Sequence, residues 1–246
     1  MNVIGAQGLR RTVLHPQITA ILMLLTVPHS AIANSKQPVP TDDGANVAEL
    51  TVKVSNTDAY ALDNMVVYLL AEPGKTLASK AGSGALEIHQ KDKQFSPYIT
   101  VVQRGDELQF VNDDDITHHI YSALGPKRFS FKLRQHDEKK VIRFDDVGHV
   151  SMGCNIHDWM SGHILVVDTP LYAATNATGT VRFQGLPYGH YKAVVWHPQL
   201  LAANQLQAFE IDITATKQTF DAIVTAEMGH LPQQENIDEF EFLEDY

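Results

Sequence analysis

The stretch Cys154-Asn155-Ile156-His157-Asp158-Trp159-Met160 sets a thiol, an imidazole and a thioether at C-x2-H-x2-M spacing. Cys154 is the single cysteine of 246 residues. Two cysteines would suggest a disulfide and four a structural zinc site. One cysteine with a histidine and a methionine this close suggests a soft-donor metal site that still needs one imidazole. Two histidines and a cysteine in a plane, with a long and weak axial methionine, form the arrangement that carries copper for one-electron transfer. The plain alternatives are a buried inert thiol at Cys154, a surface imidazole at His157 and a core side chain at Met160.

The remaining imidazole is expected on an earlier strand. Gly105-Asp106-Glu107-Leu108-Gln109-Phe110-Val111-Asn112 alternates polar and apolar residues with period 2, as a half-buried strand does. An acidic turn, Asp113-Asp114-Asp115, follows, and then Ile116-Thr117-His118-His119-Ile120-Tyr121. Neighbours on a strand point to opposite faces, so His118 and His119 cannot both face one metal. The alternation alone leaves the choice between them open.

Residues 84–168 resemble a cupredoxin, and most of all the amicyanin type, whose ligand loop is also C-x2-H-x2-M. In that type the first histidine ligand lies six residues after the asparagine that ends the preceding strand, which here, counted from Asn112, is His118. Gly162 and the apolar strand Ile164-Leu165-Val166-Val167 fit the same pattern. The segments Asn112–Ser122 and Gly153–Met160 also resemble secreted bacterial proteins of the methylamine utilisation or plastocyanin-like kind. The resemblance implies one type 1 copper held by His118, Cys154, His157 and Met160. It implies a backbone N–H of His119 aimed at the Cys154 sulfur, and His157 reaching the surface as the port for electrons. His119 stands where amicyanin has Asn, and Asp158 where it has Pro; both bear on the reduction potential rather than on the ligand set.

Residues 1–33 read as a signal peptide. Arg10 and Arg11 precede a ten-residue apolar run, Ile18 to Val27, and Ala31-Ile32-Ala33 offers small residues for cleavage. That run is too short to span a bilayer. Removal would leave 17 basic against 29 acidic residues, a formal −12. Nucleic acid is excluded as a partner, because its binding needs a basic surface. No later run has the length and apolarity of a transmembrane helix. The expectation is a periplasmic or secreted protein, in which an unpaired thiol is a liability unless metal occupies it.

Helical periodicity is absent from most of the chain. Short alternating segments between Gly, Pro, Asn and Asp predict an all-β protein. Within 84–168, strands are expected at 85–91, 97–103, 107–111, 118–122, 128–133, 140–144, 148–154 and 163–168. Within 169–230, Thr178-Gly179 and Leu186-Pro187-Tyr188-Gly189 are turn signals that bracket strands at 180–184 and 190–196; others fit at 206–213 and 218–225. The run Gly179–Tyr191 resembles the carboxypeptidase-regulatory-like (transthyretin-like) sandwich. Four strands are few for an independent sandwich. The strands 47–55 and 64–70, in the segment 47–72, supply two more if the cupredoxin is inserted into a discontinuous second domain; the alternative is that they extend the cupredoxin sheet. Residues 231–246 form an acidic tail, either solvated or a docking element for a basic partner.

His89, His136, His149, His163, His190, His197 and His230 sit at no ligand spacing and read as structural or surface residues. No set of residues with catalytic spacing is found, so an enzyme is not expected. The leading expectation is an electron carrier between redox proteins, with docking favoured by a basic partner surface. The alternatives are a copper-binding or copper-delivery protein, and a glycan-binding or scaffold sandwich with a vestigial copper site.

Overall fold

The computed structural model describes residues 47–72, 77, 86–135 and 139–232. The signal-peptide reading of 1–33 and most of the acidic tail lie outside the described residues. The chain is all-β, with sixteen strands and one 3-10 turn among the described residues. Among them no helix is long and apolar enough to cross a membrane.

Nine strands build the sandwich around the metal-loop sequence. They are β3 (Leu86–Lys91), β4 (Gln94–Ser96), β5 (Ile99–Gln103), β6 (Glu107–Asn112), β7 (His118–Ser122), β8 (Phe129–Leu133), β9 (Lys140–Arg143), β10 (Gly148–Cys154) and β11 (Ser161–Val167). One sheet runs β5-β11-β10-β7-β8 and the other β4-β3-β6-β9. Their inner faces meet in a core that includes Ile88, Leu108, Phe110, Ile120, Val150, Ile164 and Val166. The alternation of β6 has its cause here, since Leu108 and Phe110 turn inward while their neighbours stay partly exposed. Gly162 is required by close packing: a Cβ there would lie 2.6 Å from Met152 Cε and 3.2 Å from Phe95 Cβ.

A second sandwich is assembled from both ends of the described chain. Its strands are β1 (Val47–Asn56), β2 (Val66–Ala71), β12 (Tyr172–Ala174), β13 (Thr180–Pro187), β14 (Gly189–Trp196), β15 (Leu206–Ile213) and β16 (Lys217–Val224). The sheets are β13-β1-β16 and β12-β2-β14-β15. Thus β1 and β2 pair with the later strands, and β3 to β11 lie in sequence between β2 and β12. Gly179 adopts φ +67° at the turn before β13, where a Cβ would fall 2.4 Å from the Val54 carbonyl oxygen. The strands β4 and β12 are absent from the sequence-based expectation. Each is three residues long, too short to show a period.

The two sandwiches pack on one another. Along β11, Ile164 and Val166 face the first core, whereas Leu165 and Val167 join Val66, Ile99, Val101, Tyr172 and Trp196 in a third cluster between the sandwiches. Both faces of β11 are therefore buried, which explains an unbroken apolar run instead of alternation.

This interface also encloses imidazoles: His197 is buried, and His149 and His163 are partly buried. Burial, helped by the neighbouring His149 and His197, pushes the His163 pKa from 6.5 down to about 3. Burial brings His197 down to about 4, and lowers His149 as well. Each ring is thus neutral when folded and takes up a proton on unfolding as pH falls below 6.5. Stability linked to these rings is complete above pH 6.5 and declines toward pH 3. For His163 alone the loss between pH 7.5 and pH 4.5 is expected to be about 2–3 kcal/mol. Urea unfolding at the two pH values checks this: His163→Gln should lose less than the unaltered protein, and equal losses would contradict it.

Candidate metal centre

Three donor atoms converge at one end of the first sandwich. Cys154 is the last residue of β10 and His118 the first of β7, and the two strands pair through Gly153–Tyr121 and Cys154–Ile120. Along β7 the odd and even residues separate: His118, Ile120 and Ser122 are buried, while His119 and Tyr121 face outward. The His119 ring is held on that outer side by Ser130 Oγ and the Asn155 side chain. His118 therefore turns toward Cys154 and His119 turns away. The loop after Cys154 closes on itself, since the Cys154 N–H donates to the Met160 carbonyl and the Met160 N–H to the His157 carbonyl. This closure brings His157 inward.

The Cys154 Sγ lies 3.8 Å from His118 Nδ1 and 3.7 Å from His157 Nδ1. All three donor atoms fall within 4.8 Å of one another, and all three residues are buried. A metal in a trigonal plane, at roughly 2.3 Å from sulfur and roughly 2.0 Å from nitrogen, needs those two donors about 3.7 Å apart. The two S···N distances match that separation. Met160 is 1% exposed and packs in the same apolar cluster as Cys154.

The electrostatics favour a thiolate. Burial pushes the Cys154 thiol up, but the hydrogen bond with His118 and the backbone N–H groups of Ile156, His119 and His157 outweigh it, bringing the pKa down to about 6. Burial also opposes charge on His118; its bonds to Cys154 and Asp114 outweigh that and hold its pKa above the ordinary value.

Asp114 is the residue that sequence reasoning missed. Its Oδ2 accepts the His118 Nε2–H at 2.8 Å, so Nδ1 is the ring nitrogen that faces Cys154. The carboxylate is fixed in turn by the backbone N–H groups of Asp92, at 2.6 Å, and Lys93, at 3.0 Å. Both residues have left-handed backbone, with φ 53° and 55°, in the turn between β3 and β4. Asn112 braces the acidic turn by accepting from the Asp114 N–H and donating to the carbonyls of Ile116 and Leu133. The available signal was an acid four residues before the imidazole.

His157 differs from its expected surface position: it is only 8% exposed. The Trp159 ring lies against it, with centroids 5.3 Å apart. Ile156, in the ligand loop, is an exposed apolar side chain.

No family model matches the chain, and no curated protein does. Among solved structures it is similar to a copper-containing nitrite reductase, NirK, from Thermus scotoductus SA-01, at 24% identity and TM-score 0.33, over 39% of this chain and 25% of that one. The chain thus spans about a quarter of that reductase's length. It is also similar to a reduced tryptophan-to-tyrosine mutant of amicyanin, at 17% identity and TM-score 0.32, over 36% of this chain and 87% of that one. A third likeness is to a novel purple cupredoxin from Nitrosopumilus maritimus, at 22% identity and TM-score 0.30, over 33% of this chain and 99% of that one. The centre itself is read from its own donors, two imidazole nitrogens and one thiolate, buried and convergent.

Proposed function

We propose that this chain is a type 1 copper protein that carries single electrons between redox partners, in which His118, Cys154, His157 and Met160 would hold the copper. The observation that carries the reading is the convergence of one low-pKa thiol with two imidazole Nδ1 atoms at 3.7–3.8 Å. A single thiolate, two imidazoles and a thioether suit copper; structural zinc takes four stronger donors. Copper held there supplies reversible one-electron chemistry.

The chain's own residues supply the rest. Asp114 holds the His118 tautomer and ring plane. The N–H groups of His119, Ile156 and His157 draw charge from the sulfur. Strand ends on a hydrogen-bonded sheet resist displacement, so the same positions serve both oxidation states. Trp159 shields His157 from water. Chemical reduction and reoxidation of the copper-loaded protein tests the carrier role. Full recovery of colour with no copper lost to a chelator supports it; metal release on reduction would favour delivery instead.

In this reading residues 1–33 are a cleaved signal and the protein works in the periplasm. The second sandwich is of the carboxypeptidase-regulatory-like kind. The partner carries a basic docking surface: Asp158 is exposed beside Ile156, and the formal −12 of the cleaved chain steers in the same direction. Electron transfer is expected to slow as salt rises, because exposed charges are screened beyond about 8 Å at physiological ionic strength. Asp158→Asn should slow association and flatten that salt dependence, with the absorption band unchanged. Stopped-flow rates independent of ionic strength in both proteins would rule out acidic docking at this end.

A further inference from the structure

Tyr98 stands where three parts of the molecule meet. Its own backbone carbonyl accepts the His163 N–H at 2.8 Å, which fixes the segment before β5 to β11. Its ring meets the His163 imidazole edge-on, with centroids 5.0 Å apart and planes at 87°. Its hydroxyl has three polar neighbours. The Gln199 amide donates to it at 2.9 Å. His163 Nε2 lies 2.9 Å from it. The Ser161 hydroxyl is its third hydrogen-bonding neighbour.

Two of these neighbours, Ser161 and His163, lie on β11, and the third does not. Gln199 belongs to the second sandwich, in the loop after β14. That loop is itself anchored, since the Gln199 N–H donates to His197 Nδ1 and its carbonyl accepts from Gly229. Ser161 is the first residue of β11 and follows Met160 directly; across the sheet it pairs with Gly153, the residue before Cys154. His163 continues the chain to His149, with Nδ1 and Nε2 2.9 Å apart. The His149 ring then packs on Trp196 of the second sandwich, with centroids 5.1 Å apart. Each of these links holds one proton between two atoms, so both imidazoles stay neutral and the chain stays closed at neutral pH.

We propose that Tyr98 is a positioning residue of the metal centre, through which Gln199 of the second sandwich fixes Ser161 and hence the Met160 arm of the ligand loop. The second sandwich is then a working part of the centre. A thioether bonds copper weakly, so the position of Met160 would be set by the protein more than by the metal, and that position would tune the potential. The optical arm of the test rests on the copper reading above; the metal-free arm does not.

The experiment compares Tyr98→Phe, Gln199→Leu and a control, Gln207→Leu, in the full chain. Gln207 bonds Ile223 and Thr225 inside the second sandwich and does not touch Tyr98. In metal-free protein, amide NMR shifts of Met160 and Ser161 are expected to move in Tyr98→Phe, and in the same direction by less in Gln199→Leu. They should stay in place in Gln207→Leu. In copper-loaded protein, the ratio of the visible bands and the reduction potential should follow the same order. Unmoved Met160 and Ser161 amides in Gln199→Leu, or equal movement in Gln207→Leu, would overturn the proposal. Moved amides in a protein that never turns blue would uphold the joint and refute the copper reading instead. Tyr98→Phe keeps the ring and its packing, and Gln199→Leu leaves the first sandwich's residues intact, so the test survives a folding defect in either one.

Discussion

Copper added to the Cys154→Ser protein is expected to give no intense visible band at all. The thiolate is the one donor whose charge transfer to copper absorbs strongly, and serine's hydroxyl stays protonated at neutral pH. Affinity should fall by more than the roughly 10–100-fold that loss of an outer-shell partner costs. The apo fold should survive. Serine is close to cysteine in size, and its oxygen can accept from the same backbone N–H groups of Ile156, His119 and His157 that now face the sulfur. The urea midpoint of the metal-free protein is expected to correspond to a change of about 1 kcal/mol. A variant that still turns blue would remove Cys154 from the ligand set.

Asp114→Asn is expected to keep the blue band and weaken copper binding by about 10–100-fold. The carboxylate has two acceptor oxygens and receives three N–H groups, from Asp92, Lys93 and His118. An amide has one acceptor oxygen. One of its two positions must then place a donor against a donor, either at Asp92 or at the Lys93 and His118 side. The turn or the imidazole must shift, and His118 loses the charge-assisted bond that fixes its tautomer. Competition against a calibrated copper chelator measures the effect. Asp115, an exposed neighbour in the same acidic turn, supplies the comparison: Asp115→Asn should stay within about 2-fold of the unaltered protein, in keeping with surface changes of under about 0.5 kcal/mol. Equal losses in the two variants would mean that turn charge, not the bond to His118, is what matters.

The candidate centre was legible because its spacing is local. Three of the four proposed ligands lie within seven positions, and the fourth, His118, begins β7, six residues after the alternating strand β6 ends at Asn112. The strand pattern of the first sandwich was legible wherever one face meets a core, as in Leu108 and Phe110. It faded where both faces are buried: the run Ile164 to Val167 reads as apolar without saying that two different cores claim its two faces. The role of Asp114 was hidden because an acid in a turn is ordinary, and its meaning comes from two backbone N–H groups more than twenty residues away in sequence. His149 and His163 read as isolated residues for a similar reason. They meet through the register of β10 against β11, where Ser151 faces His163 and His149 faces Leu165. No spacing rule along the chain encodes that diagonal. The choice of His118 over His119 needed the strand's orientation, which the structure supplies through the burial of alternate residues of β7.

Titration of the metal-free protein with Cu(II), followed by visible absorption and electron paramagnetic resonance on the same samples, tests the central claim most directly. One equivalent should develop an intense sulfur-to-copper charge-transfer band together with a narrow copper hyperfine splitting, and the band should rise no further beyond one copper per chain. A colourless or weakly absorbing complex with the wide splitting of ordinary tetragonal copper would contradict the type 1 assignment of His118, Cys154, His157 and Met160.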